Sequence, residues 1–213
     1  MKRLLIAVLG VLISVNANAV TINFDDIPAQ TVAPYNRLGE EYASLGVHFY
    51  GYNPMISGTP NIDGGMIMGP SSGWALTGHS GTQFVGFNDN FYGYAGGGLI
   101  KSPEWIYFDQ LVLDVSMYVA GEHDTGQFYL SAYDDSGSLL VTAMVSVQNW
   151  SLIGIGSSTG IRMVQFSAID PDGHYVFDDL SFTPAPVPEP STMLLLGSGL
   201  VGLVGYGRRQ MKK

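Results

Sequence analysis

Ile106 to Val119 reads I-Y-F-D-Q-L-V-L-D-V-S-M-Y-V. This stretch decides the fold class. Leu111, Leu113, Val115, Met117 and Val119 recur every second residue, the period of a strand with one buried face. Glycine, proline, asparagine, aspartate and serine cut the chain on either side into short segments of the same kind. Val20 to Phe24 alternates, and so do Gln127 to Tyr133 and Leu139 to Val147, which flank the turn Asp134-Asp135-Ser136-Gly137. Gly137 there supplies a residue free to take a positive φ. Ile161 to Ser167 and His174 to Phe182 complete the set. Only Asn36 to Ser44 offers a helix in the middle of the chain, about two turns long. Many strands at short spacing predict an all-β fold, a β-sandwich of jelly-roll type.

The ends are built differently. Lys2 and Arg3 precede an apolar run from Leu4 to Val15, and Ala17-Asn18-Ala19 follows. Charge, apolar run and small residues in that order predict a secretory signal peptide over residues 1–19, helical in its apolar part and removed by signal peptidase. At the other end, Pro184 to Pro190 reads P-A-P-V-P-E-P, too proline-rich for a helix or a central strand. Thr192 to Tyr206 is apolar and uncharged, and Arg208, Arg209, Lys212 and Lys213 follow. Fifteen helical residues reach roughly 22 Å against a hydrocarbon core of ~30 Å. The expectation is a short C-terminal hydrophobic helix and a transmembrane segment over 192–206 that holds the membrane transiently, with the basic end on the cytoplasmic side.

Val187-Pro188-Glu189-Pro190-Ser191, the hydrophobic segment and the Arg208-Arg209 cluster together resemble the PEP-CTERM sorting signal. The resemblance implies recognition and processing by exosortase, a membrane transpeptidase-like enzyme, in a bacterium that makes extracellular polysaccharide. The implied path is an inner-membrane-tethered precursor, then the cell surface or extracellular matrix. Domain boundaries follow: signal peptide 1–19, β-sandwich 20–184, sorting tail 185–213.

Composition narrows the chemistry of the middle domain. The chain has no cysteine, which excludes disulfides, thiol catalysis and cysteine-based zinc sites. Between residues 20 and 184 only Arg37, Lys101 and Arg162 are basic, against 17 acidic residues, a net charge of −14. Nucleic-acid binding needs a basic surface and is not expected. His48, His79, His123 and His174 make no H-x-x-x-H pair, and no G-x-S-x-G elbow or phosphate-binding loop is present. Ser72, Ser80 and Ser136 lie in glycine-rich stretches where serine serves turns. The expectation is a non-enzyme, with a carbohydrate-binding module that has a defined sugar site as the alternative and a glycan-directed enzyme, acting through a carboxylate pair that the sequence does not single out, as the lesser one.

Two sets of residues stand out as candidate sites. Trp74 lies in a Gly/Ser-rich stretch, and Phe84 to Tyr94 reads F-V-G-F-N-D-N-F-Y-G-Y. Trp74, Phe91, Tyr92 and Tyr94 are predicted to form an exposed platform that stacks on sugar rings, with exopolysaccharide as partner. The closing segment Val176-Phe-Asp-Asp-Leu-Ser-Phe182 resembles the last strand of galactose-binding-like jelly rolls, which include many carbohydrate-binding modules. Strict alternation there puts Val176, Asp178, Leu180 and Phe182 on one face, and the opening segment puts Asp26 on the face of Ile22 and Phe24. A buried carboxylate needs a partner. The resemblance implies a structural Ca²⁺ near the terminal strands, held by Asp178 with Asp26, or by Asp25 and Asp179 if a register slips by one. Capping of backbone N–H groups by the same carboxylates is the competing reading.

Overall fold

The computed structural model describes residues 18–28, 38–51, 64–69, 76–87, 103–121, 126–147, 149–169, 175–186, 197–202 and 207–208. The chain divides into two compact units, Ala17–Ala185 and a second made of Met1–Asn16 with Pro186–Lys213. In the second unit, residues 197–202 are helical. Among the described residues no helix is long and apolar enough to cross a membrane.

The first unit is all-β. Its strands are β1 (Val20–Ile22), β2 (Val47–Tyr50), β3 (Met66–Met68), β4 (Phe84–Gly86), β5 (Glu104–Gly121), β6 (Gly126–Tyr133), β7 (Leu139–Val147), β8 (Ser151–Ala168) and β9 (Tyr175–Pro184). They are hydrogen-bonded in the order β3-β4-β9-β5-β8-β6-β7, with β1 on β9 and β2 on β5, and every pair is antiparallel. The terminal strands β1 and β9 thus lie side by side, as expected.

Ring contacts show how the sheet closes. Phe166 of β8 and Phe177 of β9 belong to strands separated by β5, yet their rings stand 5.0 Å apart. Phe87, just past β4, touches Phe128 of β6 at 5.8 Å and Phe177 at 5.9 Å. Neighbouring strands are ~4.8 Å apart, so a flat sheet cannot bring these rings together. The sheet folds over on itself as a β-sandwich, with these phenylalanines inside. The long strands β5 and β8 make the fold possible. Their pairing slips between Tyr107 and Asp114, where irregularities let the ribbon bend.

Those slips also correct the opening expectation. Val115, Met117 and Val119 are buried on one face as read, but Val112 enters the core while Leu111 and Leu113 are only half-buried. The predicted two-turn helix at 36–44 is, within the described residues, a single 3-10 turn at Ala43–Leu45. Strand β8 begins at Ser151, ten residues before the segment read as strand, because β5 pairs along its glycine- and serine-rich first half.

Two positive-φ residues reset the ends of the sandwich. Phe24 has φ 59°, which turns the chain out of β1 and seats its ring edge-on to Tyr42, Phe49 and Phe177. Asp179 has φ 50° and sits in a bulge of β9: Ser116 opposes Ser181, and Tyr118 opposes Asp178. The bulge flips the alternation. Tyr175, Phe177, Leu180 and Phe182 face the main core, while Val176 belongs to a second cluster with Met66, Met68, Phe84 and Ala120. The single face read from Val176 to Phe182 therefore does not exist. The same bulge is where β9 changes partners: β1 ends opposite Leu180, and β4 starts opposite Phe177.

Candidate functional site

The gap between β1 and β4 is filled by the segment Gly78–Gln83, which leads into β4, and three aspartates hold it. Asp178 Oδ2 accepts the backbone N–H of His79 at 2.8 Å and of Ser80 at 3.2 Å, while its Oδ1 accepts that of Asp179 at 2.7 Å. Asp25 Oδ1 accepts the N–H of Thr82 at 2.9 Å and of Gln83 at 3.1 Å. Asp179 takes the Ser80 hydroxyl at 2.5 Å and stands 2.6 Å from His79 Nδ1. The His79 ring lies flat on Tyr118, 3.4 Å between centroids, and edge-on to Trp150.

Asp178 is fully buried. Burial pushes its carboxyl up to about 7, the Asp179 charge adds to that, and the three backbone donors pull the other way. Asp26 is exposed and separate from this cluster: its Oδ1 accepts the Tyr42 hydroxyl at 2.6 Å. Burial first, and Asp26 second, raise the Tyr42 phenol well above its ordinary range.

Each carboxylate named as a calcium ligand accepts hydrogen bonds from the protein itself. Asp26 left the strand at Phe24, so the count that put it on the face of Ile22 does not apply. Asp178 is buried as read, but on the side away from the main core. Among the described residues no group of three or more histidine, aspartate or glutamate side chains could hold a metal ion. Nor do His79, Ser80 and Asp179 form a hydrolytic triad. Serine and histidine both address the same carboxylate, so the imidazole does not sit between hydroxyl and acid as a general base must.

A second surface lies on the outer face of β2, β5, β8 and β6. Strand register lines up Tyr50, Trp105, Gln165, Ser131 and Thr142 in one row, and His48, Tyr107, Met163 and Tyr133 in the next. Tyr50, Tyr107 and Tyr133 are half-buried, while Trp105 in the same face is 6% exposed, with its ring 5.2 Å from that of Tyr133, and Met163 is buried. The Tyr133 hydroxyl donates to Gln165 Oε1 at 2.9 Å, and burial raises its phenol. His48 is pinned between Glu40 (2.5 Å) and Asp109 (3.1 Å) and stacks on Tyr50. Arg162 lies over the Tyr107 ring at 5.6 Å and donates to Asp135 and to the carbonyls of Phe108 and Asp109. Half-exposed rings beside amide and carboxylate oxygens offer stacking faces and acceptors for hydroxyl groups.

Sequence reading missed this surface. Trp105 and Tyr107, two residues apart on β5, share a face. The signal was there: in Glu104 to Phe108, E-W-I-Y-F, large residues fill both sides of the strand. The predicted platform of Trp74, Phe91, Tyr92 and Tyr94 lies outside the described residues. So do the sorting residues Val187, Pro188, Glu189, Pro190 and Ser191, and Arg209. Arg208 is described, in a short helical stretch.

Residues 186–210 match the PEP-CTERM protein-sorting motif. That motif marks a chain for export and for processing of a membrane-anchored precursor by exosortase. Residues 186–210 thus carry a PEP-CTERM sorting motif, and the domain before them in the sequence folds as a β-sandwich. No curated protein matches it. Among solved structures it is similar to the CBM22-1–GH10 modules of the Clostridium thermocellum xylanase 10B complexed with xylohexaose, at 14% identity and TM-score 0.34, over 58% of this chain and 25% of that one. It is also similar to the CBM22-1 xylan-binding domain of Paenibacillus barcinonensis Xyn10C, at 10% identity and TM-score 0.40, over 81% of this chain and 98% of that one. A third is the CBM6 module of Cellvibrio mixtus lichenase 5A in complex with cellotriose, at 14% identity and TM-score 0.32, over 58% and 88%.

Proposed function

We propose that this is a non-catalytic protein of the cell envelope or extracellular matrix that associates with exopolysaccharide in the biofilm. One observation carries the reading: a sorting motif at residues 186–210 follows a β-sandwich whose outer face carries Tyr50 in one cross-strand row and Tyr107 with Tyr133 in the next. In this reading the signal peptide is cut after Ala19, residues 192–206 hold the membrane until exosortase acts, and the acidic domain is released to the matrix. The aromatic face takes neutral sugar rings, because the cation beside it, Arg162, is spent on Asp135 and two backbone carbonyls. Affinity electrophoresis of the domain through the host's own polysaccharide tests this. Retardation supports it. Free migration, or release of reducing sugar, counts against it.

Calcium enters as a competing proposal for Asp178 and Asp26. The Asp178 oxygens already accept three backbone N–H groups, so an ion there would share them with the loop. A melting temperature raised by Ca²⁺ over EDTA supports the ion, since a ligand of the folded state alone must stabilise it. An unchanged one supports the loop clamp.

A further inference from the structure

Among the described residues, strand β7 is a rim of the sheet. Its nine residues, L-L-V-T-A-M-V-S-V, are hydrogen-bonded among the described residues only to β6, so one row of backbone N–H and C=O groups faces outward. Natural edges of this length are blunted by lysine, proline or an early end. Leu139 to Val147 has no charge and no proline. A bulge sits near Leu140, leaving Val141 to Val147 regular.

The apolar cover is also incomplete at this rim. Leu140, Ala143 and Val145 pack against the main core but stay partly exposed, and Val141 is 36% exposed. On the opposite face Met144 is 52% exposed. The edge therefore offers a ladder and a strip of core at the same place.

We propose that β7 docks a second copy of this chain, which adds its own β7 antiparallel about a two-fold axis through Ala143. Charge selects this occupant and this direction. Copies of so acidic a chain repel one another except where charge is absent. The nearest acids are Asp134 and Asp135, before Leu139, whereas nothing charged follows Val147 until Arg162. Antiparallel pairing sets each acidic turn against the uncharged Gln148-Asn149 end of its partner, while parallel pairing would set the two turns together. Directly opposed residues share a face. The axis at Ala143, the middle of β7, opposes Val141 to Val145 on the core side and Thr142 to Met144 on the outer side. The smallest of these side chains then lies on the axis. A two-fold contact uses the β7 edge of both copies, so this contact closes at a dimer. Two polysaccharide-facing surfaces on one particle would add avidity.

The absence of cysteine makes the test clean. Opposed residues of antiparallel strands stand ~4.5–5.5 Å apart at Cα, within the ~4.4–6.8 Å that a disulfide accepts. Residues 17–185 form one compact unit containing the whole core, so this domain is the sample. Sedimentation should show a monomer–dimer equilibrium at micromolar concentration. Ala143→Cys should oxidise to a covalent dimer, and Thr159→Cys, on β8 away from the edge, should not. The double variant Thr142→Lys/Met144→Lys puts lysine opposite lysine and should be a monomer with unchanged circular dichroism. A wild-type monomer up to millimolar concentration would overturn the proposal. So would a dimer that survives the lysine pair, or equal cross-linking at both cysteines. A monomer whose β7 amides gain exchange protection only with another protein or the host polymer would assign the edge to that occupant instead.

Discussion

Asp25 occupies the space in which a side chain at Gly81 would begin: a Cβ there would stand 1.6 Å from Asp25 Oδ2. Gly81 also has φ 62°, a conformation in which other residues are strained. Close approach and backbone angle both demand glycine, and both serve the clamp that lets Asp25 reach the N–H groups of Thr82 and Gln83. Gly81→Ala should destabilise the domain by about 1–3 kcal/mol from backbone strain alone, lowering the melting temperature by several degrees. Calorimetry of the two proteins checks this, and an unchanged transition would mean that the clamp does not hold the loop.

The Asp178 carboxyl gives that clamp a pH dependence. Its folded value lies at about 7, above the ordinary 3.8. Between these limits the native state keeps a proton that the unfolded chain has lost. Stability from this group is therefore greatest below about 4 and declines as pH rises to about 7, by at most ~1.4 kcal/mol per pH unit. Asp134 acts elsewhere on the scale: the Ser136 hydroxyl and backbone donors of its turn lower its carboxyl, so its contribution is lost only as pH falls below the ordinary range. Denaturant melts from pH 4.5 to 8 should show wild type gaining on Asp178→Asn as pH falls. A constant difference across that range would contradict the buried, proton-holding carboxyl.

Part of this was legible beforehand and part was not. Val115, Met117 and Val119 carry their period openly, and the Asp134–Gly137 turn was readable with Gly137 at φ 79°. Asp178 could be read as buried. Its side of the sheet could not, because one bulge residue at Asp179 reverses the alternation and leaves no composition signature. Ser151 to Gly160 hid as a strand for a related reason. Glycine and serine carry little strand preference, and pairing with β5 supplies what the residues do not. The outer aromatic face is a property of register between β2, β5, β8 and β6, which no single segment displays.

The main core should answer to Phe177. Its ring meets Phe24, Phe87 and Phe166, and it is fully buried. Phe177→Ala should cost about 3–5 kcal/mol, measured by chemical denaturation. A loss below about 1 kcal/mol would mean that the folded-over sheet does not close on this residue.

The polysaccharide surface predicts the reverse pattern. Tyr107→Ala and Tyr133→Ala remove half-exposed rings, each contributing about 0.5–1.5 kcal/mol of stacking beyond area. Each should weaken retardation by host polysaccharide several-fold while leaving the melting temperature within a few degrees. Loss of folding without prior loss of binding would make these rings packing residues.

Export of the chain and its sorting through residues 186–210 are read out by intact mass spectrometry of the protein recovered from the native host's surface and matrix. The expected mature species starts at Val20 and lacks the segment after Pro188-Glu189-Pro190. A dominant surface form that still ends at Lys213 would contradict it.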